Sequence, residues 1–435
     1  MTHPRFPTDR HGWSELLPER TPRPALAGTH RTRWAVIGAG FTGLAAARRL
    51  AELFPSETVL LIEAREVGQG ASGRNSGFAV HASHFPGAFS EATLDDNRRV
   101  NRLNEAGLDL LRGQVTAAGI DCAWDENGFH HAAAEPASAR EAENFRRYLQ
   151  ELEIPHDLLD AEAMRERLGT GHYRCGIHVR AGALVQPAAL VRGLAATLPA
   201  NAVLFENSPV LAVEPGRPVR LVLPDGEVHA EGVLIAANNE VAKLGFLRGR
   251  VAASTLSGSF TRQLTGEELA SLGSLEQWGA LSLHSGGATV RLTADRRISL
   301  RNTAEYNGAA LLTEAELASR QEMHRASFAA RFPQLSHVPF EFGWSGVEGI
   351  SRNQTNFFRP LADNVWFAGG YNGSGVSRGT AFGHALAEYA SGGQSALIAD
   401  CLASKPATWI PPRPFVDIGA AWTVAKRFRG VGRDR

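Results

Sequence analysis

Trp34-Ala35-Val36-Ile37-Gly38-Ala39-Gly40-Phe41-Thr42-Gly43-Leu44 is the stretch whose reading decides the fold. A short apolar run that suits a buried strand passes into the pattern GxGxxG, and the Ala/Leu/Arg segment behind it reads as a helix ending near Pro55. Thr58 to Ile62 then reads as a second apolar strand. Strand, glycine turn, helix and strand make a βαβ unit, whose strands lie parallel and which belongs to an α/β domain. Each glycine has a task if a dinucleotide binds. Gly38 allows the tight turn, Gly40 lets the backbone approach a pyrophosphate, and Gly43 lets the helix pack close to the strand. The helix start offers unpaired N–H groups and the positive end of its dipole to phosphate. Glu63 closes the second strand about 20 residues after Gly43, where a carboxylate accepts hydrogen bonds from ribose hydroxyls and repels a 2′-phosphate.

These features leave FAD or NAD, and the next segment separates them. Glu63-Ala64-Arg65 leads into Gly70-Ala71-Ser72-Gly73-Arg74-Asn75-Ser76-Gly77, a glycine-rich loop where an NAD domain would return to a helix and a third strand. A loop that supplies Ser72, Arg74 and Asn75 as donors suits the pyrophosphate, ribityl chain and ring of FAD. The candidate cofactor contacts in this half are therefore Gly38, Gly40, Phe41, Thr42, Gly43, Glu63, Ala64, Arg65, Gly70, Ser72, Arg74, Asn75 and Ser76.

A chain of 435 residues outgrows a single core, so two domains are expected. The α/β unit supplies a Rossmann-like FAD-binding domain over 33–85, 171–249 and 341–400, discontinuous in sequence. Residues 86–170 and 250–340 are left for a substrate domain with a mostly antiparallel sheet. Residues 90–170 read as mainly helical. Val219 to Leu223 and the run around Val228 read as strands about the turn Pro224-Asp225-Gly226, Thr289 to Leu300 alternates as an antiparallel sheet does, and Glu314 to Phe328 reads as a helix. Residues 1–32 read as an irregular lead-in because of Pro4, Pro7, Pro18, Pro22 and Pro24, and 401–435 as a Pro-rich tail. The formal net charge of +0 recruits neither nucleic acid nor an anionic membrane by bulk attraction. Cys122, Cys175 and Cys401 form no CxxC, so no metal site is expected, and Lys243, Lys405 and Lys426 are too few and scattered to suggest Schiff-base chemistry. The first thirty residues carry no apolar h-region, and no run reaches the roughly 20 apolar residues of a membrane span; the expectation is a cytoplasmic protein.

Five stretches make the chain recognisable: Val36–Leu44, Gly70–Gly77, Trp344-Ser345-Gly346, the run Asn364–Val376, which includes Gly370-Tyr371-Asn372-Gly373-Ser374-Gly375, and Pro411–Phe415. With Trp13 in its Pro-rich lead-in, the chain resembles the D-amino acid oxidase-like (DAO) superfamily of FAD-dependent oxidoreductases, and within it the γ-glutamylputrescine oxidase-like branch. The resemblance implies an enzyme that oxidises a small amine or amino acid, with oxygen or another electron acceptor as re-oxidant. It implies adenine contacts from the backbone at Val210. Gly370, Gly373, Ser374, Gly375 and Val376 would meet the flavin, where a glycine turn at a helix start favours a developing negative charge. Ser374 stands where relatives commonly carry histidine, which puts any role of that histidine in doubt here. Covalent flavin links in the superfamily use cysteine or histidine; neither occurs in Gly70–Gly77, and Cys401 follows the last motif, so noncovalent FAD is expected.

Hydride transfer to a flavin needs a positioned substrate more than a reactive side chain. His81 and His84 follow the glycine loop and are candidates for a base, or ordinary loop histidines. Arg291, Arg296, Arg297 and Arg301 lie in the predicted substrate sheet; Arg301 is the candidate carboxylate holder, against the alternative of a solvated strand face. Trp344 is a flavin neighbour or core. A dehydrogenase that passes electrons to a quinone or protein, and a flavin-carrying assembly protein without turnover, are the alternatives.

Overall fold

The computed structural model describes residues 10–83, 89–273 and 275–435. The fold is mixed α/β, built on two large sheets. In the first, strands run in the order 357–362, 365–369, 226–235, 28–37, 59–62, 202–205, with a hairpin of 212–214 and 219–222 at the side of 226–235. Strand 28–37 pairs in parallel with both 59–62 and 226–235, and the latter with 365–369. The strands are apolar throughout their inner halves because both faces are covered. Val36, Leu61 and Leu234 point to the helical side, whereas Ala35, Ile37, Leu60, Ile62, Val233 and Ile235 point to the hairpin side. On the helical side Phe41–Leu53 lies against Ser377–Ala390. Their approach is very close: a Cβ on Gly383 would stand 2.0 Å from the Thr42 carbonyl oxygen.

The second sheet runs in the order 340–351, 251–261, 298–301, 289–292, 278–282, 129–133, 175–179, 156–160. Its pairs are antiparallel except 278–282 with 129–133. Glu314–Arg331 covers one face, burying Phe328 beside Phe332 and Phe340, and Thr313 with Glu316 forms its capping box.

Three local expectations need correction. The stretch 90–170 holds the helices Leu94–Ala118, Pro136–Glu151 and Ala161–Leu168, but also strands Phe129–Ala133 and His156–Asp160. Five-residue strands between longer helical patterns leave little periodicity to read. Over its described residues the lead-in is irregular only in part: Gly12–Glu15 is a helical turn with Trp13 in the core, and the first strand starts at Gly28, six residues before the apolar run. Arg20 ion-pairs with the buried Glu206, which also accepts from the Val67 N–H, and so ties the lead-in to the loop after Glu63. The tail likewise folds. Pro414 takes the N-cap of a helix, Phe415–Arg427, where its missing N–H costs nothing, and the buried Asp434 accepts from Ala134 N–H. Among the described residues no helix is long and apolar enough to cross a membrane.

Candidate active site

The glycine turn is built as its spacing requires. Gly38 has φ +99°, and a Cβ on Gly43 would stand 1.7 Å from the Gly38 carbonyl oxygen, so neither position admits a side chain without displacing the helix. Glu63 reaches back to this turn: one carboxylate oxygen accepts from Ala39 N–H at 2.8 Å, the other from Arg65 N–H at 3.0 Å. Burial raises the Glu63 pKa against the pull of those two amides. The next strand returns beside it, with Ser208 N–H donating to the Glu63 carbonyl and Asn207 N–H to that of Arg65, which brings Val210 into the same neighbourhood. Ser72 Oγ accepts from Phe41 N–H at 3.0 Å, and Thr42 Oγ1 bonds the Tyr371 hydroxyl at 2.8 Å. The dinucleotide turn, the loop 70–77 and the turn 370–376 therefore converge, although Thr42 and Tyr371 are 329 residues apart in the chain.

One face of the second sheet lies over the loop 70–77. Antiparallel register puts Trp344, Gly346 and Glu348 on the face shared by Gly258 and Phe260, and Ser299, Arg291, Thr289 and Arg301 follow across the next strands. Trp344 Nε1 donates to the Arg74 carbonyl while its ring packs with Trp13 and Phe260, so Trp344 is core and loop anchor together. Arg291 is fully buried, and its Nη1 donates to the carbonyls of Ser76, Gly77 and Val185. Burial pulls its pKa down to about 9. Its fork holds the loop. Arg296 is an exposed turn residue at φ +64°, and Arg297 pairs with Asp295 and Glu341.

Arg301 differs from these three. Its Nη2 donates to Thr289 Oγ1 at 2.5 Å, and burial lowers its pKa to about 10, which keeps it charged at neutral pH. Beside it stands Glu348, which sequence reasoning missed. Burial raises the Glu348 pKa, opposed by the positive charges of Arg427 and Arg301 and by the Gly373 N–H. Arg301, Glu348, Glu63 and Tyr371 are all half-buried. Strand alternation carried the signal for Glu348: it lies four residues beyond Trp344, on the same face.

Other candidates fall elsewhere. Arg74 spends its guanidinium on the Gln69 and Ser345 carbonyls and the Gln69 side chain, and Asn75 bonds Ala71, Ser72 and Gly77, so both shape the loop. Ser72 alone of the three predicted donors turns to the dinucleotide helix. His81 faces Glu105 on the helix 94–118 at 3.9 Å, with its pKa lowered by burial. His84 lies outside the described residues. Arg378, buried at the start of the helix 377–390, donates to Asn104 and Ser83 and fixes the chain just after His81.

A flavin dinucleotide fits these residues. A Cβ on Gly70 would meet nothing within 4 Å, and one on Gly373 only the Glu348 carboxylate, at 3.9 Å, so loop and turn both border open space; at Gly40 a Cβ would press Ser72 Oγ, at 2.7 Å. Known proteins resemble this chain over most of its length. The DAO description, "FAD dependent oxidoreductase", matches residues 33–389. The gamma-glutamylputrescine oxidoreductase of Escherichia coli is 27% identical over 418 residues, 91% of this chain and 93% of that protein. A probable oxidoreductase of Rhizobium meliloti is 27% identical over 409 residues, 89% and 90%. Among solved structures, glycine oxidase from Geobacillus kaustophilus superposes with TM-score 0.69 at 21% identity, over 84% of this chain and 96% of that one. L-proline dehydrogenase from P. horikoshii gives 0.69 at 16%, over 85% and 96%.

Proposed function

We propose that this chain, which belongs to the DAO family of FAD-dependent oxidoreductases, oxidises a small amine or amino acid at the carbon bearing nitrogen and gives an imine that water then hydrolyses. The observation that carries the reading is the pair Arg301 and Glu348, side by side with Glu348 against the Gly373 turn. The similar proteins' names, γ-glutamylputrescine, glycine and L-proline among them, support an amine or amino acid as substrate.

FAD, when bound, supplies the acceptor for a hydride from the substrate carbon. Gly38 to Gly43, Glu63 and Ser72 would hold its nucleotide part, and the turn Gly373 to Gly375, at the positive end of the helix 377–390, would favour negative charge on its reduced form. Arg301 holds a substrate carboxylate through its guanidinium fork, which orients the reacting C–H bond. An ammonium cannot give up hydride readily, so the amine must lose a proton first. A Glu348 carboxylate oxygen accepts it, and the pKa raised by burial brings this group nearer to neutrality, where a base works best. His81, engaged with Glu105, is the weaker base candidate. Oxygen is the proposed re-oxidant.

Anaerobic mixing of the yellow protein with a panel of primary and secondary amines, with and without carboxylates, tests this. Bleaching of the flavin by carboxylated amines, and recovery of colour on admitting air, is the expected outcome. Bleaching without recovery would assign the electrons to another acceptor, and a hydroxy acid that bleaches where no amine does would replace the reading.

A further inference from the structure

The helix Phe415–Arg427 is held at both ends and buries no residue. Before it, Ile410 N–H donates to the Gly249 carbonyl at 2.7 Å and Arg250 Nη1 to that of Ala407. After it, Arg427 Nε donates to the Ser285 carbonyl, and the chain end is locked by Ala288 N–H to the Asp434 carbonyl and by Arg331 to that of Arg435. The side chains turned inward, Val416, Asp417, Ala420, Val424 and Arg427, are half-buried. Those turned outward include Phe415, Ile418 and Trp422, spaced by three and four residues and exposed by 65%, 67% and 66%. A rigidly tethered helix thus carries an apolar stripe that nothing covers among the described residues.

Charge says what covers it. From Trp409 to the end the chain carries Arg413, Lys426, Arg427, Arg429, Arg433 and Arg435 against Asp417 and Asp434. Asp434 is buried, and Asp417 is paired with Arg413 at 3.3 Å. Lys426 lies 5.3 Å over the Trp422 ring, so positive charge borders the stripe itself. The zero net charge of the whole chain conceals this local excess. A two-fold dimer through the stripe would set Lys426, and the exposed Arg429 close to it in the chain, against their own copies. Three side chains at two-thirds exposure offer on the order of 400 Å², so a second copy would have to bury about as much again from the cationic surround to reach the roughly 800 Å² per partner of a stable interface. An anionic bilayer surface meets both conditions: its headgroups match the cations, and its acyl boundary takes a shallow row of Phe, Ile and Trp.

We propose that the helix Phe415–Arg427 docks on anionic membrane surfaces, lying in the interface with Phe415, Ile418 and Trp422 inserted. The contact is peripheral and reversible, since one short helix gives modest affinity.

The FAD-loaded full chain is floated with phosphatidylcholine vesicles and with vesicles in which a third of the lipid is phosphatidylglycerol, at low and high salt. Binding at least about tenfold stronger to the anionic vesicles, weakened by salt and accompanied by a blue shift of tryptophan emission, is the expected result. I418S/W422S should abolish it with FAD content unchanged, and K426E/R429E should erase the preference for anionic lipid. No vesicle binding, or equal binding to both compositions, overturns the proposal. So does a dimer in light scattering that I418S/W422S dissociates, which would give the stripe to a second copy.

Discussion

Arg301 and Arg291 sit two residues apart in register on neighbouring strands and have opposite fates. Arg291 is consumed by three backbone carbonyls, whereas Arg301 donates to the Thr289 hydroxyl and stands beside Glu348. The substitution Arg301→Ala should therefore raise KM for a carboxylated amine by about 30-fold, the loss of a charge-assisted pair worth on the order of 2 kcal/mol, while FAD stays bound. An unchanged KM in steady-state assays with full flavin occupancy would leave Arg301 without its proposed role. Glu348 carries the pH dependence. A carboxylate whose pKa is raised loses its charge earlier as pH falls, so kcat/KM should drop on the acid side above the usual carboxylate range, and Glu348→Gln should remove that limb and lower the plateau. Arg301 could be put forward from the sequence because a substrate-domain arginine is a natural carboxylate holder. Glu348 was not, because an isolated Glu on a strand looks the same whether it faces solvent or a cleft; only the register with Trp344 distinguishes the two.

At the level of elements, the βαβ unit was readable because each step rests on a local constraint: a buried strand, a turn needing φ > 0 at Gly38, a helix that must touch it at Gly43. The substitution Gly40→Val, which would push Ser72 off the Phe41 amide, should give protein purified colourless. A yellow variant with wild-type FAD content would show that the loop can yield there. Wild-type protein should release all its flavin on acid precipitation, as noncovalent binding requires. The strands 129–133 and 156–160 escaped because their pairing is long-range: Phe129 pairs with Val179 and Ala280 with His130, partners that no local window contains. The folded lead-in and tail escaped for another reason. Prolines mark where an element cannot run, and here they fall between the helical turn Gly12–Glu15, the strand from Gly28 and the helix from Phe415 rather than inside them.

Across the molecule, the second sheet and the segments packed on it enclose histidines that burial keeps neutral. Burial pushes His130 and His324 down to about 3 and His172 to about 4. An unfolded chain binds protons at these sites from about pH 6.5 downward while the folded one does not, so stability falls as pH drops from 6.5 toward 4. Glu63 and Glu348, raised by burial, act in the opposite sense and are fewer. The thermal midpoint should accordingly decline between pH 7 and pH 5; a flat or rising profile would contradict neutral burial of these histidines. The same architecture sets the most direct test of the proposed chemistry, because Tyr371 bonds Thr42 at the dinucleotide turn while Gly373, two residues on, meets Glu348 beside Arg301 on the other sheet. That test is the single-turnover rate of anaerobic flavin reduction by an amino acid deuterated at the carbon bearing nitrogen, beside its unlabelled form and its decarboxylated analogue. The account predicts reduction slowed several-fold by the deuterium, and saturation at far lower concentration for the carboxylated substrate, an advantage lost in Arg301→Ala. Flavin that stays oxidised with every amine, or reduction indifferent to both deuterium and carboxylate, would contradict it.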